Sequence, residues 1–98
     1  MVETEVYYQD KDANLELLRN KIDHCDQQIV KLLARRFKLV KQIGNYKTKH
    51  NQPILDTKRE KEIIFTRQEQ AFGLKSELVE RIFNIIFDES HRIQSDLR

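Results

Sequence analysis

Cysteine is almost absent from this 98-residue chain, since Cys25 is the only one, and a disulfide framework is therefore excluded. His24, His50 and His91 lie far apart and lack the spacing of zinc ligands, so the sequence predicts no metal site. Chains this short bury little surface by themselves and commonly need disulfides, a metal or oligomerisation. Because the hydrophobic share is only 39%, oligomerisation is the route that this sequence favours.

Long hydrophobic runs and an excess of one charge are also missing. No apolar stretch approaches the roughly 20 residues of a membrane span, and the N-terminus lacks the apolar core of a signal peptide. The 18 basic and 16 acidic residues are well mixed and leave a net charge of +2. The sequence therefore lacks the basic patch that binds a polyanion such as nucleic acid. We therefore expect a cytoplasmic protein with neither a membrane nor a nucleic-acid partner.

Helix-breaking residues are scarce. From about Asn14 to His50 there is no proline, and Gly44 is the only glycine. This segment predicts a helix roughly 50 Å long at about 1.5 Å per residue, and Pro53 ends it by disfavouring helix in the residue before it. Apolar side chains recur along it in steps of three and four and form a heptad seam with one charged member. The seam consists of Leu18, Ile22, Cys25, Ile29, Leu32, Arg36, Leu39, Ile43 and Tyr46.

Two shorter helices are predicted after this break. The second runs from about Asp56 or Thr57 to Phe72, with Gly73 in the usual position after a helix. The third begins near Ser76 and carries many apolar residues. No segment shows the alternation of a strand.

The predicted fold is therefore all-α, with one long and two shorter helices in residues 14–98. Residues 1–13 are polar and are predicted to be a tail or a short docking segment. A three-helix monomer of this size cannot cover a helix as long as the first one. We therefore expect the fold to be an intertwined homodimeric helical bundle.

Arg36 is the charged member of the seam, in the middle of the long helix. It is either a buried polar residue that sets the register of a coiled coil or a ligand for an anion. Lys47 lies about 20° around the helix from Arg36, so the two side chains can converge on one small molecule. Alternatively, Lys47 is a side chain that snorkels to solvent at a helix end.

Arg19 lies about 25 Å from Arg36 along the same helix, too far for both to hold one small molecule. In an antiparallel pair of long helices, the partner subunit's Arg19 comes alongside Arg36 and Lys47. The predicted homodimer therefore completes each site with a residue of the other chain.

Two further groups of polar residues follow in the sequence. Asp56, Arg59 and Glu60 share one face of the second helix, although Asp56 is also a good N-cap followed by a segment of capping-box form. Ser90 and Gln94 continue the apolar face of the third helix. They either belong to a polar pocket or mark a fraying helix end.

Taken in order, these residues resemble the active site of the all-helical chorismate mutases. The family pattern has one Arg early and one in the middle of a long helix, then a Lys, a Pro, Asp-x-x-Arg-Glu and Ser-x-x-x-Gln. The resemblance extends from about Leu15 to Leu97. The matching residues are Arg19, Arg36, Lys47, Pro53, Asp56, Arg59, Glu60, Ser90 and Gln94.

This resemblance implies an isomerase of the shikimate pathway that converts chorismate to prephenate on the route to Phe and Tyr. The reaction is an intramolecular Claisen rearrangement and needs no nucleophile, metal or cofactor. It needs a substrate held in its reactive conformer and donors to the ether oxygen, where negative charge develops. By resemblance, Arg36 and the partner subunit's Arg19 bind the carboxylates of the substrate, and Ser90 assists. Lys47 and Gln94 donate hydrogen bonds to the ether oxygen. Glu60 accepts a hydrogen bond from the ring hydroxyl with Asp56 close by, and Arg59 orders the carboxylates of Asp56 and Glu60.

Two alternatives remain open at this stage. An isochorismate-pyruvate lyase of the same fold also uses Arg and Lys on the long helix, but lacks the Asp-x-x-Arg-Glu and Ser-x-x-x-Gln pattern. A non-catalytic dimeric helical module accounts for the heptads but not for Glu60 and Gln94 beside the cations. The sequence also leaves open whether the chain works alone or with a larger pathway enzyme. No group assigned a role titrates between about pH 6 and 9, so turnover is expected to vary little there.

Overall fold

A computed structural model describes the backbone of residues 3–98 and the side chains of residues 13–98. The described backbone forms three helices and no strand: α1 (Glu3–Lys49), α2 (Thr57–Glu69) and α3 (Ser76–Ser95). The predicted all-α class, with one long and two shorter helices, is confirmed. Among these helices, none is both long enough and apolar enough to cross a bilayer.

The long helix α1 begins at Glu3, well before the predicted start near Asn14. Residues 3–13 contain neither proline nor glycine, so nothing in their backbone chemistry opposes helix. The division into a segment of residues 1–13 and a domain of residues 14–98 stays a prediction.

The end of α1 is a Schellman motif built around Asn51. This residue takes a left-handed φ of 55°, which asparagine tolerates better than most residues. The Gln52 N–H then donates to the Lys47 carbonyl at 2.8 Å, and the Asn51 N–H donates to the Thr48 carbonyl at 3.4 Å. Two carbonyls at the helix end are thereby satisfied, and the chain reverses toward Pro53.

The second helix is shorter than predicted, because α2 ends at Glu69 and not at Phe72. Phe72 and Gly73 both take a positive φ, 50° and 90° respectively, which lies outside the helical region. These two residues turn the chain toward α3, which begins at Ser76 as predicted. Gly73 therefore serves the loop between the helices and not the position directly after α2.

The chain divides into two units, the first ending at Arg35 and the second comprising Arg36–Arg98. In residues 13–35 of the first unit, the apolar side chains of the seam are exposed in the single chain. Leu18, Ile22 and Ile29 expose 53%, 58% and 54% of their surface. This part of α1 thus presents an apolar stripe to solvent.

The second unit has a small core to which all three of its helical segments contribute. Val40 of α1, Ile63 of α2 and Phe87 of α3 are each less than a tenth exposed. On α3, the buried positions recur at helical spacing and form one face, and Ser90 and Gln94 belong to that face. The polar residues at the end of α3 are therefore buried as part of the core.

Candidate active site

A cavity of about 330 Å³ lies among the end of α1, α2 and α3, within residues 36–98. Its volume falls at the lower end of the roughly 300–1,000 Å³ that is usual for small-molecule sites. Seven of the eight predicted site residues line it, and they come from all three helical segments of this unit and the turn before α2. These residues are Arg36, Lys47, Asp56, Arg59, Glu60, Ser90 and Gln94.

Arg36 is held in the cavity wall by contacts with α3. Its Nη1 donates to Ser90 Oγ at 3.3 Å, and Ser90 donates its own hydroxyl proton to the Ile86 carbonyl at 2.7 Å. The guanidinium carbon also lies 6.0 Å and 5.8 Å from the ring centroids of Phe83 and Phe87, within reach of cation–π attraction. Because a guanidinium carries five N–H donors, this arrangement retains donors for an anion.

The surroundings of Arg36 lower its pKa from the ordinary value of an arginine. Burial is the largest cause, followed by the positive charges of Arg67 and then Arg59, while the carboxylate of Glu60 acts in the opposite direction. The guanidinium stays protonated at physiological pH. Its charge is therefore maintained at an energetic cost that a bound anion would reduce.

Lys47 contributes the second cation of α1. Its Nζ donates to the Ile54 carbonyl at 3.0 Å, in the segment that follows the Schellman turn. An ammonium group has three donors, so this bond orients the group and leaves two N–H bonds for other acceptors. Lys47 is partly buried and lines the cavity, which disfavours the alternative of a side chain that only snorkels to solvent.

The first turn of α2 uses its two carboxylates differently. Asp56 is the N-cap of the helix, and its Oδ1 accepts from the Arg59 N–H at 3.0 Å, as the capping alternative predicted. The predicted capping box would have turned a Glu60 oxygen back toward the cap. Glu60 Oε2 instead accepts a hydrogen bond from His91 Nε2 of α3.

Ser90 and Gln94 are 8% and 6% exposed, so the alternative of a fraying helix end is wrong. Gln94 Nε2 donates to the Val40 carbonyl of α1 at 3.0 Å. Gly44 makes this close approach feasible, because a Cβ at that position would lie 2.9 Å from Gln94 Cγ. The amide of Gln94 carries a second N–H that is suited to an oxygen atom in the cavity.

Two residues of the cavity wall, His91 and Arg67, were missed from the sequence. Arg67 lies seven residues after Glu60, about two helical turns, so the periodicity of α2 was a signal that could have found it. His91 precedes Gln94 by one turn on α3 and shares its face. The contact of His91 with Glu60 joins positions 31 residues apart, so it could not be predicted from the spacing of residues within one helix.

The cavity wall carries more positive than negative charge. Four of its side chains are cationic and two are carboxylates, so the excess is two positive charges when His91 is neutral. Arginine guanidinium groups bind carboxylates through two parallel hydrogen bonds. The arrangement therefore suits a small molecule with two negative charges. The cations are Arg36, Lys47, Arg59 and Arg67, and the carboxylates are Asp56 and Glu60.

Arg19 is the predicted site residue that does not line this cavity. It is an exposed residue of α1, in the unit that ends at Arg35. Its contribution to the site of a partner subunit stays a prediction.

The chain was compared with protein families, solved structures and curated proteins. A family model described as chorismate mutase type II matches residues 18–95 of this chain. Among solved structures, a chorismate mutase (form II) from Thermus thermophilus superposes with a TM-score of 0.81 at 29% sequence identity. The match covers 84% of this chain and 94% of that chain.

Curated relatives are much longer proteins. The bifunctional chorismate mutase/prephenate dehydratase of Buchnera aphidicola subsp. Schizaphis graminum is 40% identical over 81 residues, which cover 81% of this chain and 21% of that protein. The T-protein of Enterobacter agglomerans is 31% identical over 86 residues, which cover 86% of this chain and 23% of that protein. The chain thus spans less than a quarter of the length of these two relatives.

Proposed function

The chain belongs to the chorismate mutase type II family, and from that premise we propose that it converts chorismate to prephenate. The observation that carries the proposal is the cavity wall, where four cations and two carboxylates leave an excess of two positive charges beside the polar groups of Ser90 and Gln94. Chorismate presents the complementary groups: two carboxylates, an ether oxygen and a ring hydroxyl.

Substrate capture falls to the guanidinium groups. Arg36, already oriented by Ser90, binds one carboxylate of chorismate, and Ser90 assists. The partner subunit's Arg19 binds the other. Holding both ends of a flexible dicarboxylate favours the compact conformer in which the two reacting carbons lie close together, and this lowers the entropic part of the barrier.

Acceleration of the rearrangement itself falls to Lys47 and Gln94. As the ether C–O bond breaks and the new C–C bond forms within the same molecule, negative charge develops on the ether oxygen. Lys47 and Gln94 donate hydrogen bonds to that oxygen from positions fixed by Ile54 and Val40. Donors held in place before the reaction stabilise the transition state without having to reorganise. Glu60 accepts from the ring hydroxyl, while Asp56 holds the start of α2 and Arg59 orders the carboxylates.

A homodimer and its location in the cell complete the proposal. The exposed apolar stripe of residues 13–35 supports pairing of two long helices, which brings Arg19 of each chain to the other site. Two of the relatives are bifunctional or longer proteins, which supports association of this chain with a further enzyme of the pathway. The location of this protein in the cytoplasm stays a prediction.

The test is an assay with purified protein. Chorismate absorbance should decrease on addition of the protein, and prephenate should be the product. A folded protein that leaves chorismate unchanged would contradict the proposal. A parallel assay with isochorismate, read as pyruvate release, separates the mutase from a lyase of the same fold.

A further inference from the structure

One contact in the cavity has no part in the roles described so far. His91 Nε2, on α3, bonds to Glu60 Oε2, on α2, and these side chains are 33% and 24% exposed. The contact is a hydrogen bond, and it is also a charge pair when the imidazole is protonated. It ties the acceptor carboxylate of α2 to the helix that carries Ser90 and Gln94. It fixes one of the two oxygens of Glu60.

We propose that His91 is a positioning residue that holds the Glu60 carboxylate for the ring hydroxyl of the substrate, and that the charge on its imidazole makes substrate capture depend on pH. The proposal rests on the proposed function and deepens it. It adds a residue that acts through Glu60 and does not itself touch the reacting atoms.

The need for a positioning residue follows from the charges around Glu60. Arg36, Arg59 and Arg67 line the same cavity, and the carboxylate of Glu60 already interacts electrostatically with Arg36. A glutamate side chain rotates about three bonds and can turn toward any of these cations. The bond from His91 favours one rotamer, in which Oε2 is occupied and Oε1 remains as the acceptor for a hydroxyl.

The pH dependence follows from the charge that His91 can acquire. Histidine is the side chain type that ordinarily changes charge between about pH 5 and 8. In either form His91 donates to Glu60, but only the imidazolium adds a positive charge to the wall. A dianion is attracted more strongly by the more positive wall, so the KM for chorismate should fall as pH decreases and rise as pH increases. The other charged side chains that line the cavity are Arg36 and Lys47 of α1, Asp56 in the turn before α2, and Arg59 and Arg67 of α2.

Two charged neighbours of His91 near the end of α3 are engaged with Arg92, while Asp88, one turn before His91, is exposed. Arg92 bonds to Glu89, and its Nη1 bonds to Asp96 Oδ2 at 3.1 Å. The pKa of Glu89 is lowered, chiefly by its hydrogen bond from Arg92. Arg92 is therefore paired with carboxylates near the end of α3 itself.

The decisive comparison uses His91→Gln, which keeps an N–H donor but cannot take up a proton. For the unaltered protein we expect the KM for chorismate to rise on the order of three- to tenfold from pH 6 to pH 8, as for one charge interaction in a partly exposed site. The kcat should stay nearly constant. His91→Gln should still bind chorismate, with a KM between the values of the unaltered protein at pH 6 and pH 8, and this KM should depend little on pH.

A second variant and a matched control keep the test specific. His91→Leu removes the donor and should raise KM at every pH, and this loss should be much smaller when Glu60→Gln is already present, because the two residues act as a unit. His50→Gln makes the same substitution at a histidine that bonds to the Tyr46 carbonyl outside the cavity. It should leave the pH dependence of KM unchanged.

The outcomes separate this inference from the proposed function. If the unaltered protein converts chorismate and His91→Gln has the same pH dependence of KM as the unaltered protein, the charge of His91 does not govern substrate capture. The inference is then overturned and the mutase function stands. Additive losses for His91→Leu and Glu60→Gln would also overturn the inference. A folded wild-type protein that does not convert chorismate would overturn both.

Discussion

Lys47, Ser90 and Gln94 each make one hydrogen bond to a backbone carbonyl, to Ile54, Ile86 and Val40 respectively. These bonds fix the side chains before a ligand arrives. At the scale of single residues, the cavity wall is therefore preorganised by the backbone of neighbouring segments and not by the ligand. Such preorganisation makes the loss of one donor costly for turnover.

Lys47→Ala should reduce kcat about 100- to 1,000-fold, corresponding to about 2.7–4 kcal/mol, because a donor to developing charge is lost. Lys49→Ala is the matched control, since Lys49 is an exposed lysine of the same turn outside the cavity. It should remain close to the unaltered protein in steady-state assays. Near-normal kcat for Lys47→Ala would remove Lys47 from the mechanism.

Gln94→Glu should convert the protein into one that prefers acid. An amide donates at any pH, whereas a glutamic acid donates only while it is protonated, and its carboxylate would repel the developing charge on the ether oxygen. We expect kcat of the unaltered protein to be nearly flat between about pH 6 and 9, and kcat of the variant to fall as pH rises from about 5 to 8. A variant that is indifferent to pH would show that Gln94 does not donate to the ether oxygen.

The identity of the polar residues in the cavity was largely readable from the sequence, while their contacts were not. Arg36 stood out because it occupies an apolar seam, and Gln94 because it continues a buried face of α3. The contact between His91 and Glu60 depends on how two helices pack, and helical spacing carries no information on that. Arg67 differs in this respect, because it lies two helical turns after Glu60 and the spacing along α2 could have indicated it.

At the scale of helices, Gly44 determines how closely α1 approaches the end of α3. A Cβ there would lie 2.7 Å from Leu97 Cδ1 and 2.9 Å from Gln94 Cγ. Leu97 presents the far end of a flexible side chain, but the Gln94 side chain is held by its bond to Val40. The glycine is therefore a requirement of packing at this crossing, despite its low helix propensity.

Gly44→Ala should consequently displace Gln94. Alanine gains about 1 kcal/mol of helix propensity, but overpacking costs about 1–3 kcal/mol, so we expect a modest loss of stability and a larger loss of kcat. Thermal unfolding and steady-state kinetics measure the two effects. Asn45→Ala, at an exposed neighbouring position of α1, should show neither loss. Unchanged kcat in Gly44→Ala would mean that Gln94 is not displaced.

Helix ends were predictable only where a residue type enforces them. Pro53 correctly marked the break after α1, and Asp56 correctly marked the start of α2. The end of α2 that was predicted from Gly73 was wrong. Phe72 also adopts a left-handed conformation, which a bulky aromatic residue seldom does, and the helix therefore ends before it. The start of α1 at Glu3 was not predicted, because no residue near it strongly favours a helix boundary.

At the scale of the whole molecule, the proposed homodimer predicts complementation between inactive chains. An Arg19→Ala chain and an Arg36→Ala chain, unfolded and reassembled together, form mixed dimers in which one site has both arginines and the other has neither. Random pairing should restore about a quarter of the sites. Activity recovered over that of either parent measures this. Failure of reassembled mixtures to regain activity would exclude a site shared between subunits.

The excess of cations in the cavity also makes the stability of the protein, and hence its lifetime in the cell, depend on the concentration of a dianionic ligand. Like charges held together in the site oppose folding, and a dianion that neutralised them would bind the folded chain alone. Such a ligand at about 100 times its dissociation constant adds about 2.7 kcal/mol to the free energy of unfolding. For a small domain, that addition is a large fraction of the total stability. A cell that ran short of the dianion would therefore hold more unfolded chain open to proteolysis, and the abundance of the protein would follow the abundance of its proposed ligand.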